Sequence, residues 1–548
     1  MLSLLILLPI ISIFILMVLP MKSYYLLRVI TLITTSIQLI VSVVLFFLYK
    51  PGKGIQFVEQ YNWIEMDLGN AGKLTAQYFI GIDGINVSMM LLTGIVMFVG
   101  AIASWKIVEN KRGYFSLYLL LCSTIYGCFL SLDFLLFFIF FEFMLLPMYF
   151  LIGIWGGPRR EYASIKFFLY TLLGSIFILV VMIGLYVSVI DPAASAIATG
   201  TKDVSTFKTQ LASGTIDKTN LVHTFNMLLM KDASNYIPGS VLHQLSSYTL
   251  WGYSARAIAF LALIIGFAIK LPAVPFHTWL PDAHVEAPTP ISVVLAGVLL
   301  KIGGYGMIRI AYPIFPEGAI QFAYFIALVG LVSIVYGGLN ALAMKDLKKM
   351  IAYSSISHMG FVLLGMASLT VEGMNGAMYQ MFSHGLLASL LFLVAGVLYD
   401  RTHDRMIENY RGLAVKMPIF TAVVIISFFA SFGLPGFSGF IAELFILLGA
   451  FNSEFVNGLL PKWMAIVATS GILLGAVYYL WTLQRMFFGK FWIRTGITWK
   501  EGLYDLDTRE KIITLPLVVL AVVFGIFPHL LLDVISIDMK DLVKSIVR

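Results

Sequence analysis

Apolar runs long enough to cross a bilayer follow one another along almost the whole chain, and that pattern constrains the fold more than any single residue. A membrane-spanning helix needs about 20 mostly apolar residues. Fourteen stretches meet or approach that length: residues 2–19, 26–49, 84–105, 114–130, 132–154, 163–190, 257–281, 289–310, 320–343, 349–369, 374–399, 417–452, 463–488 and 512–533, the 417–452 stretch being long and interrupted. Of the 548 residues, 60% are hydrophobic and only 12% charged, where a soluble domain carries about 25%. So few charges could not wet the surface of a water-soluble enzyme. The expectation is an all-α, polytopic membrane protein of about 14 transmembrane helices. The first stretch has no basic n-region and no cleavage site, so it reads as a span and not as a removed signal.

An even number of spans puts both termini on one side. Lysine and arginine concentrate in the loops after odd-numbered spans, as at Lys106, Lys111 and Arg112, at Lys345, Lys348 and Lys349, and at Arg401, Arg405 and Arg411. The positive-inside rule makes those loops cytoplasmic and both termini extracytoplasmic. The net charge of +7 fits basic cytoplasmic loops better than a nucleic-acid partner. Residues 191–256 form the one long insertion, rich in Ser, Thr, Asn, Asp and Lys. It reads as an extracytoplasmic excursion with a short helix or two, whose plainest role is to pack on a neighbour. Residues 535–547 alternate apolar side chains with Asp and Lys, as a short interfacial helix does. The two cysteines, Cys122 and Cys128, share one apolar run without a CxxC, which leaves no basis for an iron–sulfur cluster, a zinc site or a disulfide framework. No phosphate-binding loop is present, so ATP is not the drive.

With charges so rare, those inside spans stand out. An ionisable group at the centre of a bilayer costs at least about 2.5–3.5 kcal/mol and normally faces protein or water with a partner. Six side chains qualify: Glu142, Lys270, Lys301, His358, His384 and Glu443. Each has a bland reading. A membrane histidine can be a hydrogen-bonded core residue, a lysine can snorkel to the interface, and either glutamate can be a structural partner. Lys270 and Lys301 lie too deep in their runs to snorkel.

Two spans carry backbone breaks, Lys270-Leu271-Pro272-Ala273-Val274-Pro275 and Gly433-Leu434-Pro435-Gly436-Phe437-Ser438-Gly439. Proline removes a helical N–H and clashes with the preceding turn, and a broken helix at membrane depth must be buried in protein or line water. Both breaks sit beside a charge. The shared Leu-Pro pattern in spans seven and twelve, five helices apart, suggests two five-helix repeats, helices 4–8 and 9–13, inverted relative to each other as in transporters. The organisation expected is residues 1–110 for helices 1–3, 111–310 for the first repeat, 311–490 for the second, and 491–548 for a loop, helix 14 and the tail. A buried lysine loses affinity for its proton by desolvation and regains it beside a carboxylate. A row of Lys, His and Glu could therefore relay protons between two half-channels.

Four stretches together resemble one family. FHTWLPDAHVEAPTPISVVLAGVLLKIGGYGMIRI (276–310), LLFFIFFEFMLLPMYFLIGIWGGPRREYASIKFFLYT (135–171), KDLKKMIAYSSISHMGFVLLG (345–365) and FSHGLLASLLFLVAGVLYDRTHDR (382–405) are similar to the antiporter-like M subunits of bacterial NADH-quinone oxidoreductase, respiratory complex I. The resemblance runs from about Gly84 to the fourteenth span. It implies that Glu142 pairs with Lys270 on the broken seventh helix, that Lys301 is the central connecting lysine, that His358 and His384 lie on a hydrated axis, and that Glu443 on the broken twelfth helix ends the relay. A glutamate at position 443, where sister subunits usually have lysine, favours the M type, as does the lack of a long lateral C-terminal helix. The resemblance further implies a bacterial cytoplasmic membrane, no cofactor in this chain, and FMN, iron–sulfur clusters and quinone in partner subunits. The partners implied are the lipid bilayer and the other membrane subunits, above all the L- and N-type ones. The insertion at 191–256 departs from the family pattern. Other readings are a subunit of a multisubunit cation/proton antiporter, a hydrogenase-linked pump, and a di-haem cytochrome ligated by His358 and His384.

Overall fold

The protein is described here by a computed structural model covering all residues except 21–23, 68, 70–71, 202, 214–215, 217–219, 495–502 and 548. Parts of the 191–256 insertion and of the 491–548 segment thus lie outside the described residues. Helices dominate, and each of the fourteen apolar stretches is helical for most of its length. Eleven helices among the described residues are long and apolar enough to cross a membrane, or twelve with the bent pair Thr508–Ile526 and His529–Ile546. The difference from fourteen has local causes. Leu2–Val18 has 17 residues, and the seventh stretch is split into Ala255–Lys270 and Trp279–Glu286; the twelfth is split too, into Pro418–Ser431 and Ser438–Val456, but its second half is still long and apolar enough to count.

The helices sort by polarity. Thr289–Ile314 and Val371–Thr402 are buried along their apolar windows, and Leu347–Ala367 nearly so; these three carry Lys301, His384 and His358. Around them, Tyr24–Leu48, Arg160–Ser188 and Lys462–Phe487 turn large apolar side chains such as Phe47, Leu169, Val180, Ile466 and Leu473 outward. That is the arrangement lipid requires, with polar groups inward and apolar side chains on the perimeter.

One departure from an all-helical reading is a hairpin of strands Gln56–Asp67 and Lys73–Ile82, extended by Val222–Thr224 into a three-stranded sheet. Its cause is visible in QFVEQYNWIEMD, where β-branched and aromatic residues alternate with polar ones. The parallel pairing of 73–75 with 222–224 ties the 191–256 insertion to this hairpin. The insertion holds helices Pro192–Thr199, Val204–Ala212 and Met227–Met230. A small apolar cluster of Ile190, Ala196, Phe207, Leu211, Leu221 and Ile237 packs it together. Helix His529–Ile546 bends 64° away from Thr508–Ile526 and reaches the same end of the bundle, where Asp538 accepts the Gly84 amide.

The opposite end is bound by ion pairs at the ends of helices. Arg401 donates to both carboxylate oxygens of Glu510, at 2.6 and 3.1 Å, and also to the carbonyls of Val397, Tyr504 and Asp505. Both side chains are 1% exposed. Removing one member of such a pair leaves a buried charge unpaired. Arg401→Met is expected to destabilise the assembled protein by about 3–5 kcal/mol. The double variant Arg401→Met with Glu510→Met should recover most of that loss. Thermal denaturation of the assembled membrane complex measures both.

Candidate functional site

The site is built where two broken helices meet the three buried ones. Helix Ala255–Lys270 ends on Lys270 itself, at the carbonyl-rich, negative end of the helix dipole, which favours an ammonium. The break is patched by side chains: Trp279 Nε1 donates to the Ile269 carbonyl at 2.9 Å, and the Val274 amide donates to Ser333 Oγ at 3.0 Å. Glu443 lies near the start of helix Ser438–Val456, toward the positive dipole end, which favours a carboxylate. Before it, Gly433 has φ +78°, and a Cβ there would lie 2.6 Å from Glu443 Oε2. The turn and the seat of the carboxylate both require glycine.

Four of the six expected residues form one connected row. Lys301 Nζ lies 2.8 Å from His384 Nδ1 and donates to the Ala296 carbonyl. The π-helical turn Leu295–Leu299 directly beneath it widens the helix there. The His384 and His358 rings stand 5.3 Å apart between centroids. His358 Nδ1 is 3.2 Å from Glu443 Oε1 and 3.2 Å from Gln380 Nε2. A single ring nitrogen cannot serve both at once: with its hydrogen it donates to Glu443, and without it accepts from Gln380. Gaining or losing one proton therefore changes the partner. A cavity of about 10 Å³, room for one water, lies against this row and is lined by Ser354, His358, Gln380, His384, Ser431 and Gly439 among others. It cannot hold a haem macrocycle, so the pair of histidines does not fit the cytochrome reading.

The other two expected residues stand apart. Lys270 Nζ has no hydrogen-bond partner and lies over the Phe141 ring at 4.6 Å. Glu142 Oε1 is likewise unsatisfied. The expected pairing of Glu142 with Lys270 is thus not a contact in this structure; the two interact through space. Pro147 cannot donate to the Phe143 carbonyl, and the fifth span is interrupted at Met144, between Phe134–Phe143 and Leu145–Trp155. No hydrogen bond joins Lys270 to Lys301 among the described residues. Their helices press together between them, where a Cβ on Gly303 would lie 2.7 Å from the Leu271 amide nitrogen.

Ser354, in the polar patch that precedes His358, accepts from Tyr479 at 3.1 Å. Sequence reading missed other polar side chains near this row. Gln380, four residues before His384 on one helix face, carried the signal of spacing. Ser383 donates to Ser438 at 2.7 Å. His284 is buried with both ring nitrogens unsatisfied, stacked on Phe392 at 4.2 Å. Lys348 donates to the Ala287 carbonyl at 3.1 Å.

Comparison with known proteins places this arrangement. Residues 131–190 and 221–472 match the family described as NADH:quinone oxidoreductase/Mrp antiporter, transmembrane. The chain belongs to that family. Within it, the chain is 39% identical over 517 residues to NADH-quinone oxidoreductase subunit M of Rhodobacter capsulatus, covering 94% of this chain and 90% of that one. It is 38% identical over 490 residues to subunit M of Rickettsia conorii, covering 89% and 86%. Respiratory complex I from Thermus thermophilus with bound NADH contains a chain that superposes with a TM-score of 0.78 at 28% identity, over 100% of both chains. A chain of the Mrp complex from Dietzia sp. DQ12-45-1b shares the fold, with a TM-score of 0.77 at 20% identity over 100% and 99%. The matched segments contain Glu142, Lys270, Lys301, His358, His384 and Glu443, and all six lie within one NADH:quinone oxidoreductase/Mrp antiporter fold.

The double use of His358 Nδ1 has a measurable consequence. Gln380→Leu keeps the side-chain volume but removes one partner, a loss on the order of 1 kcal/mol. Turnover coupled to proton movement is expected to fall several-fold while the amount of assembled protein stays unchanged. Quinone reductase rates in membranes matched for assembled complex check this.

Proposed function

We propose that this chain is a proton-translocating membrane subunit of an NADH-quinone oxidoreductase, driven by electron transfer in other subunits. The observation that carries the reading is the buried row Lys301, His384, His358 and Glu443, whose members are spaced for proton exchange at mid-bundle. The ammonium of Lys301 faces a ring nitrogen, so its proton can pass to His384, then across to His358 and on to Glu443. Each of these side chains is costly to charge in an apolar surround. A charge entering at one end therefore displaces the next.

Glu142 and Lys270 act as the input. A carboxylate near Lys270 favours its ammonium; withdrawing the carboxylate weakens its hold on the proton. A change at Lys270 reaches Lys301 electrostatically through the close packing at Gly303. The drive is NADH:quinone electron transfer carried out elsewhere, on FMN, iron–sulfur clusters and quinone held by partner subunits. The partners are other membrane subunits of the complex, with L- and N-type neighbours on either flank. Helices 4–8 and 9–13 act as the two inverted halves around the axis. The membrane is the bacterial cytoplasmic one, with both termini outside. The basic loops at Lys106, Lys345 and Arg405 support that sidedness.

The test uses Glu142→Ala and Lys270→Ala in the assembled complex. NADH oxidation by an artificial acceptor, which bypasses the membrane subunits, reports assembly. Coupled quinone reduction and proton pumping are expected to fall on the order of tenfold or more. Normal pumping in either assembled variant would overturn the reading. Sodium-stimulated exchange without NADH would instead favour a cation/proton antiporter.

A further inference from the structure

A groove at the border of the apolar bundle gathers positive charge that its own acidic side chains do not match. It opens where helix Lys462–Phe487 ends, beside a two-stranded ladder of Tyr410–Arg411 and Trp492–Ile493. The ladder is secured by the Gly412 amide, which donates to the Phe488 carbonyl at 3.2 Å, and by the Arg494 amide, which donates to the Asn409 carbonyl at 3.1 Å. Arg411 stands opposite Trp492 in its register, and residues opposite each other in a ladder project to one face. The groove has a volume of about 1000 Å³ and is lined by Glu408, Arg411, Trp481, Arg485, Lys490 and Trp492 among others. A smaller cavity of about 220 Å³, between the ends of helices Ala323–Ala343 and Lys462–Phe487, shares Glu408, Trp481 and Arg485 with it and adds Lys345.

The charges here do not cancel. Glu408 is the one acidic side chain among the described residues that line either cavity, and Lys345 takes it at 3.3 Å. Arg411, Arg485 and Lys490 are exposed and form no ion pair among the described residues. Arg485 is held over the Trp481 ring at 4.4 Å. A guanidinium placed so keeps N–H donors in a fork that fits two phosphate oxygens at once. Away from the bases the wall turns apolar. Leu473, Val477 and Leu480 face outward along helix Lys462–Phe487, and Leu339 does so on Ala323–Ala343, which packs against it. Tryptophan settles at the level of lipid headgroups, with one end apolar and the other wet. Trp481 comes one turn before Arg485 and Trp492 lines the same groove, so the surface passes from apolar to basic within about one helical turn.

We propose that this groove binds an anionic phospholipid, with the headgroup phosphate among Arg411, Arg485 and Lys490 and the acyl chains along the outward apolar face of helix Lys462–Phe487. Basic pockets at the ends of membrane helices are where such headgroups are held. A free phosphate would use the bases alone; a lipid also uses the apolar wall and the two tryptophans. A zwitterionic headgroup brings an ammonium of its own, which the three unpaired bases repel, so the groove selects for net negative charge. The site stands apart from the Lys301–Glu443 row, and the proposal holds whether or not that row moves protons.

The test uses the assembled complex in nanodiscs of equal parts phosphatidylglycerol and phosphatidylethanolamine. A photo-activated benzophenone side chain replaces Gln484, which lines the groove, and mass spectrometry identifies what it captures. Phosphatidylglycerol is expected to be captured several-fold over phosphatidylethanolamine. Arg411→Gln combined with Arg485→Gln should lower that capture on the order of tenfold or more, with NADH oxidation by an artificial acceptor reporting assembly. Inorganic phosphate added at constant ionic strength should leave the capture in place. Equal capture of the two lipids with the groove's bases intact would overturn the proposal, and that measurement does not depend on the double variant assembling. Undiminished capture in the assembled double variant would overturn it as well. So would a cross-link to a peptide of a neighbouring subunit, which would show that protein covers the groove. Loss of lipid capture on adding phosphate would assign the bases to a free anion and overturn it too.

Discussion

An ammonium group in the middle of an apolar bundle must find lone pairs, and Lys301 finds two, on the Ala296 carbonyl and on His384 Nδ1. Much of the local architecture answers that demand. The π-helical turn Leu295–Leu299 lies directly under the lysine. The long helix Val371–Thr402, buried along its apolar length, holds His384 against Lys301 and Gln380 against His358. Burying one charge costs several kcal/mol, and that cost falls when the proton is shared between neighbours of similar affinity. The row therefore gains most where the proton is not fixed on any one member.

The two broken helices solve a related problem with opposite polarity. A break exposes the dipole ends of half-helices inside the bundle. Lys270 stands at a C-terminal end and Glu443 near an N-terminal one, so each charge meets the partial charge that suits it. The half-helix after Lys270 is secured by Trp279 and Ser333, and the half-helix bearing Glu443 starts at Ser438, which accepts from Ser383. The first break is thus closed by hydrogen bonds to the backbone and the second is steadied by a side-chain bond, while the charged side chains beside them keep unsatisfied atoms, Lys270 Nζ and Glu443 Oε2.

Much of this was legible before any coordinates. The apolar runs located the helices, since length and hydropathy alone decide what lipid accepts. Lys301, His358, His384 and Glu443 stood out because a charge in such a run needs a reason. Gln380 did not, because an amide is common in buried helices and carries no signal of its own. Arg309 sat in the same run as Lys301 without being singled out; its partner Asp83 is more than two hundred positions away, and only the fold brings them together. The 56–82 hairpin was missed because the search was for helical spans, although its alternating pattern was plain. Glu142 and Lys270, a pair by the resemblance, interact through space without a hydrogen bond between them.

Satisfaction of hydrogen bonds separates the charges that hold this protein together from those that let it work. Arg401 with Glu510, and Arg309 with Asp83, are buried pairs in which both carboxylate oxygens are engaged. Moving a proton there would cost the full pair, so they serve as fixed anchors. Along the axis the opposite holds. Glu142 Oε1, Lys270 Nζ, Gln380 Oε1 and Glu443 Oε2 are buried without partners, as are both ring nitrogens of His284. An unpaired buried polar atom is expensive in a static protein. Of these, Gln380 and Glu443 contact His358 on the Lys301–Glu443 row, and Gln380 also lines the small cavity beside it. Beyond Lys301, the Lys348 nitrogen reaches the Ala287 carbonyl at the end of the second half of the broken seventh helix, which carries the buried His284.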